Sequence, residues 1–261
     1  MADSLARQFS NWAAKLTYND LPPAVIDKLK ALLIHHLVSA TFGAHMPLGK
    51  EAIALAKAEE GKPDGATILG DGAKATRSGA TYVNSELMHV SGMFDSYRMI
   101  THPGPMIIPP ALASTELQGG TGKDLLVTLA AAYEIEERIT DKFVPSTSAH
   151  GFRPSPQFGS LGASVATAKA LGLNADGILA AIAMGATIAG GTNEGARAGG
   201  GETAIHDPHA AINGVLAGIT ARSGHVKGSE TSIEGRAGFL NAFTGSNTGR
   251  LVEHRRGRHH R

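Results

Sequence analysis

A chain of 261 residues with 42% apolar but only 5% aromatic residues can bury a large core, yet it is poorly supplied for a β-sandwich; its net charge of +1 gives no global pull toward nucleic acid or anionic membrane. The absence of cysteine excludes disulfides, thiolate nucleophiles and Cys-ligated zinc. No basic and then apolar leader follows Met1, so the chain reads as soluble, and the lack of disulfides suits a reducing cytoplasm.

Apolar residues recur at steps of three and four almost throughout, which predicts an all-α protein. After Asn19 and Asp20, the prolines of LPPAVIDKLKALLIHHLVSATFGA suit a first helical turn. Val25, Ile26, Leu29, Leu33, Leu37 and Val38 are then expected on one buried face. His35 and His36 interrupt this stretch, which is too short to span a membrane, and read as one edge and one core histidine. TILG, near Thr67, reads as a strand or an extended connection. Gly119 and Gly120 end one helix, and Thr121 to Asp124 cap the next, LLVTLAAAYEIEERI. SPQFGSLGASVATAKALGL and ADGILAAIAMGATIAGG predict two Ala- and Gly-rich helices deep among neighbours. GGTNEGARAGGGE, residues 190–202, is too rich in glycine for a helix and reads as a long loop. A further helix runs from about Pro208 to Ser223. The expected organisation is a helical domain over 1–248 and a basic, disordered tail over 249–261.

Several segments invite chemistry. GGTGKD, residues 119–124, lacks the glycine spacing of a phosphate loop and follows a helix, so it reads as a turn. His206 and His209 flank Asp207 and Pro208 at a helix start. Without an HExxH pattern or neighbouring carboxylates, this reads as capping by Asp207 with packed histidines, and not as a metal site. The arginines of the tail could attract an acidic partner, but no aromatic residues interleave them, and no nucleic-acid site is read there.

FDSYRMITHPGP, residues 94–105, is different. Histidine is the side chain best suited to move protons near neutral pH, and His102 stands directly before a Pro-Gly bend. Arg98 can grip a carboxylate with two parallel N–H groups, while Ser96 and Tyr97 can donate hydrogen bonds. A solvent-facing polar loop is the alternative.

NSELMH, FDSYRMITHPGPMIIPPALASTELQGGTGKDLL, GFRPSPQFGSLGASVATAKALGL and IHDPHAAINGVLAGITARSG follow one another in an order that resembles the MmgE/PrpD family over about residues 5 to 245. The resemblance implies a large helical domain that normally carries a smaller α/β lid, with the active site between them and homodimers usual. It also implies cofactor-independent, metal-free proton transfer or elimination on small di- or tricarboxylates, with no membrane or nucleic-acid partner. Matched residue by residue, it makes His102, Asp95 and Ser96 the catalytic candidates. Three other family positions differ: an acid falls on Gly92, an imidazole on Arg153, and an ammonium near Thr203. The exchange removes proton donors and strengthens anion binding, because arginine stays charged. Arg98, Arg153 and Arg197 are therefore expected to clamp carboxylates, with Tyr97 and His206 beside the substrate. Beyond FLNAFTG the resemblance stops, and SNTGRLVEHRRGRHHR reads as a shifted frame that leaves the lid out.

Overall fold

The computed structural model describes residues 3–98 and 101–245; the expected basic tail, and residues 99 and 100 of the central motif, lie outside the described residues. Helices form where apolar spacing and caps coincide. α1 (Leu5–Lys15) is capped by the Ser4 hydroxyl, and α2 (Pro23–Gly43) and α3 (Pro47–Glu59) both start on proline. A short antiparallel pair, β1 (Gly61–Thr67) and β2 (Lys74–Ala75), precedes α4 (Arg77–Val90). α5 (Gly104–Leu117) ends before Gly119, and α6 (Gly122–Thr140) opens with the capping box of Thr121 and Asp124 anticipated from sequence. α7 (Val144–Ala149), α8 (Pro154–Ala170), α9 (Ala175–Ile188), α10 (Glu194–Ala198), α11 (His206–Arg222) and α12 (Phe239–Thr244) complete the order.

α8 is the axis of the molecule. Each residue from Pro154 to Ala168 is buried, and α5, α6, α7, α9 and α11 pack around it. Such crowding requires small side chains. A methyl group on Gly214 of α11 would strike the backbone at Ala163 of α8, so glycine sets how closely these two helices approach. Phe158, Leu161, Ile107, Ile135 and Ile182 fill the remaining space and are fully buried.

Two expectations need correction. On α2 the buried set is Leu29, His36, Ser39, Ala40 and Gly43, whereas Val25 and Val38 are exposed. The helix turns its small residues toward α4, because small side chains permit the closer contact, and leaves Ile34, Val38 and Phe42 facing outward. The glycine-rich stretch 190–202 is not one loop. Glu194–Ala198 forms a short helix that stops at Gly199, whose φ of 77° breaks the helical run, and Gly201–Ile205 forms a 3-10 turn. Among the described residues, no helix is long and apolar enough to cross a membrane.

Candidate active site around His102 and Asp207

α4 ends at Val90, and the chain crosses residues 91–103 before α5 begins. Asp95 organises this crossing. Its Oδ1 accepts the Gly104 N–H at 2.9 Å, and its Oδ2 accepts the Tyr133 hydroxyl from α6 at 2.8 Å. Nε2 of fully buried His36 lies 3.3 Å from Oδ1, an ion-pair distance without good hydrogen-bond alignment. Burial would raise the Asp95 carboxyl, but His36, the Gly104 N–H and the Tyr133 hydroxyl together hold it below its ordinary value. Gly104 is required by the same contact, since a methyl group there would overlap the His36 ring. The glycine of His-Pro-Gly therefore opens α5 on top of a buried imidazole.

His102 is fixed from both sides. Its backbone N–H donates to the Ser155 hydroxyl at 3.2 Å, and its Nδ1 lies 2.9 Å from the Asp95 carbonyl and 3.0 Å from the Ser96 hydroxyl. A carbonyl can only accept, so Nδ1 carries a proton, and in the neutral imidazole Nε2 is then the nitrogen with the lone pair. The ring contacts Phe94, with centroids 4.2 Å apart, and Phe94 also stacks with His89, at 6.2 Å.

The second charge centre is Asp207, which the sequence suggested as a helix cap. It lies inside the first turn of α11, fully buried, and caps nothing. Its Oδ1 pairs with Arg153 at 2.9 Å and its Oδ2 with His89 Nδ1 at 2.7 Å. Burial opposes ionisation here too; the hydrogen bond from His89 and then the charge of Arg153 outweigh it and hold the carboxyl below the usual range. His206 beside it is pushed down, first by burial and then by Arg153. Arg153 is placed by its loop: its N–H bonds to the Gly191 carbonyl at 3.0 Å, and the Asn193 N–H to the Gly151 carbonyl at 2.8 Å. The GFRPS turn and the glycine-rich stretch thus latch together.

Three further acids face this region, each with at least one buried carboxylate oxygen that makes no hydrogen bond among the described residues. Burial raises Glu86 to about 7, with His89 opposing and Asp207 reinforcing. Burial, then the charge of Asp95, raises Glu137 to about 8. Glu136, entirely buried with both oxygens unpartnered, is raised well above the carboxylate range by burial and then by Glu137.

This arrangement can be set beside known proteins. The model of the MmgE/PrpD N-terminal domain matches residues 7–251. The chain belongs to the MmgE/PrpD family. It is similar to a cis-aconitate decarboxylase-like protein of Aspergillus oryzae, oryM, at 26% identity over 255 residues, which cover 94% of this chain and 52% of that protein. It is also similar to cis-aconitate decarboxylase of Aspergillus terreus, at 26% identity over 258 residues with the same coverage. The chain thus spans about half the length of the curated relatives it matches.

Within this MmgE/PrpD domain the expected site residues divide into two groups. His102, Asp95 and Ser96 share one loop, and Arg153 and His206 gather around Asp207. Arg98 and Tyr97 instead turn to Asp141: the guanidinium is 2.5 Å from its carboxylate and the phenol 3.2 Å. Arg98 is exposed and holds a φ of 46°, an uncommon backbone state for a residue with a side chain. Arg197 is exposed on α10. Gly92, where the family resemblance expects an acid, forms a left-handed turn after α4, and Thr203 lies in the 3-10 turn. His36, His89, Tyr133 and Asp207 were not singled out from sequence as working groups. A cleft of about 470 Å³ opens beside His89, between Met46, Leu48, Val90, Gly201 and Thr203. Larger concavities of about 720 and 790 Å³ lie along residues 222–239; the first is crossed by Arg7, already paired with Asp176 and Glu230, and the second is largely apolar. Among the described residues, no group of three or more histidine or acidic side chains is placed to hold a metal ion.

Proposed function

We propose that this chain is the helical part of a cofactor-independent lyase or isomerase acting on small di- or tricarboxylates, with Nε2 of His102 as the proton-abstracting base. The observation that carries this reading is the tautomer set by the Asp95 carbonyl, which leaves a lone pair on a rigidly held ring. Removal of a proton beside a carboxylate generates a carbanion whose electron pair either expels a leaving group or recaptures a proton. Asp95 acts through the loop as a positioning residue, because both of its oxygens are engaged. Arg153 keeps N–H groups beyond the one given to Asp207 and would anchor a substrate carboxylate, with His206 beside it. The relatives' names point to acids of the cis-aconitate class as first candidates. The reading keeps a cytoplasmic, cysteine-free chain and a homodimer. The outward face of α2, with Ile34, Val38 and Phe42 at 62%, 48% and 60% exposure, gives a second copy something to cover.

Turnover of citrate, 2-methylcitrate and cis-aconitate tests the proposal. His102→Asn should abolish it with an unchanged circular dichroism spectrum, and full activity in that variant would refute the role. A second reading is favoured by the Arg153–Asp207 pair, which neutralises the best-placed cation: a catalytically silent helical domain that dimerises and binds carboxylates weakly. Saturable citrate binding without turnover would select it.

A further inference from the structure

The replacements at Gly92, Arg153 and Thr203 remove three groups that the family resemblance expects, and elimination needs a proton donor as well as a base. Glu86, Glu136 and Glu137 are buried or line no cleft described above, whereas one imidazole reaches a cleft. His89 stands on α4 with Nδ1 against the buried Asp207 carboxylate, 2.7 Å away. An ionised carboxylate only accepts, so Nδ1 bears a proton and Nε2 is the working nitrogen. Among the described residues Nε2 makes no hydrogen bond. The side chain is 16% exposed and forms part of the wall of the 470 Å³ cleft. Its ring also stacks with Phe94, whose other ring contact is His102, so both imidazoles are held against one phenyl group. Two imidazoles thus flank one phenyl group, with the Nδ1 of His102 on a carbonyl and the Nδ1 of His89 on a carboxylate.

We propose that His89, oriented by Asp207, is a second catalytic residue of this site and protonates the departing hydroxyl of a β-hydroxy carboxylate through Nε2. The inference rests on the function proposed above for His102. In the step, Nε2 of His102 takes the proton from the carbon beside a carboxylate. The C–H electron pair becomes the new C=C bond, the C–O bond breaks, and the Nε2 proton of His89 leaves with the hydroxyl as water. His102 ends protonated and His89 neutral, and exchange of one proton with solvent restores both. Asp207 stays ionised throughout and orients the ring.

Separating the two half-steps tests the idea. The wild-type chain, His102→Asn and His89→Asn are each incubated in D2O with citrate, 2-methylcitrate and malate. Deuterium entering the acid is read by mass spectrometry, and dehydrated product by ultraviolet absorbance. Asparagine places an amide N–H where Nδ1–H stood, so Asp207 keeps a donor in His89→Asn. The expected result is deuterium incorporation within about threefold of wild type in His89→Asn, with dehydration reduced about 100-fold or more. In His102→Asn both should vanish. If incorporation and dehydration fall together in His89→Asn, the inference is overturned while the role of His102 stands. If the wild-type chain incorporates no deuterium from any of the three acids, the proposed function fails and this inference with it. Should His89→Asn not hold the wild-type fold, 15N spectra of the wild-type chain decide: a His89 Nε2 resonance that moves on citrate addition supports the contact, and one that does not move refutes it.

Discussion

Glu86 offers a direct test of the electrostatics beneath the site. It faces His89, which favours its charge, and Asp207, which opposes it, but burial dominates and lifts the carboxyl from 4.5 to about 7. A carboxyl raised in the fold binds its proton more tightly there than in the unfolded chain. Its stabilising contribution is therefore full below about pH 4.5 and is lost as pH climbs through 7. Each pKa unit corresponds to about 1.4 kcal/mol, so the ionised form carries a penalty of about 3 kcal/mol. Glu86→Gln removes the titration and keeps the shape, at the constant cost of a buried amide. Urea unfolding of both proteins at pH 5 and pH 8, followed by circular dichroism, reads the difference. The variant should gain about 2–3 kcal/mol on wild type between the two pH values. A stability difference that stays constant within about 0.5 kcal/mol would show that Glu86 is not held in a desolvated, unpaired state, and the acid-rich picture would fail there.

Asp207→Asn should cost about 3–5 kcal/mol at pH 7, because it strands the Arg153 guanidinium and removes the acceptor of His89. The penalty should shrink as pH falls from the ordinary carboxylate range toward the depressed value that His89 and Arg153 impose on the folded Asp207, where the wild-type carboxyl itself takes a proton; thermal melts across pH check both points. Phe42→Asp, at the C-terminal end of the exposed α2 face, should convert the proposed dimer to a monomer in size-exclusion chromatography with light scattering. A wild-type chain that is already monomeric at tens of micromolar would refute the dimer.

Much of the fold could be read from local signals. The capping box at Thr121, the glycines after α5, and the Ala- and Gly-dense α8 and α9 are all encoded within a few residues of where they act. α2 was misread in part because helical spacing shows that a stripe exists but not which stripe faces α4. The small residues at 39, 40 and 43, together with His36, won the contact, and larger aliphatics such as Ile34 and Val38 were left outside. Glycine richness over 190–202 suggested a loop, yet five residues between Asn193 and Gly199 suffice for a turn of helix. The site was half legible. His102, Asp95 and Ser96 lie within one segment, so proximity in sequence exposed them. Asp207, His89 and Arg153 come from three distant elements and meet only through packing. YEIEE was a visible signal: Tyr133, Glu136 and Glu137 recur at i, i+3 and i+4 on an otherwise apolar helix, a pattern that places acids inward.

The abundance of inward acids looks self-defeating for a site proposed to receive carboxylates. A unit charge about 7 Å from a substrate carboxylate, at an effective dielectric of about 20, repels it by about 2 kcal/mol, and three such charges would exclude a dicarboxylate. Protonation resolves the conflict. Burial pushes Glu136 well above the carboxylate range and Glu137 up to about 8, and Glu86 lies close to its midpoint at pH 7. The ionised acids, Asp95 and Asp207, are the two that have donors: His36, Tyr133 and a backbone N–H for one, and His89 and Arg153 for the other. Of these five inward acids, the two held ionised keep an imidazole or a loop in place, and burial shifts the other three toward the neutral form. On the proposed function, with Arg153 already paired to Asp207, a substrate carboxylate would have to be met by the N–H groups that Arg153 keeps beyond that pair and by the imidazoles around it.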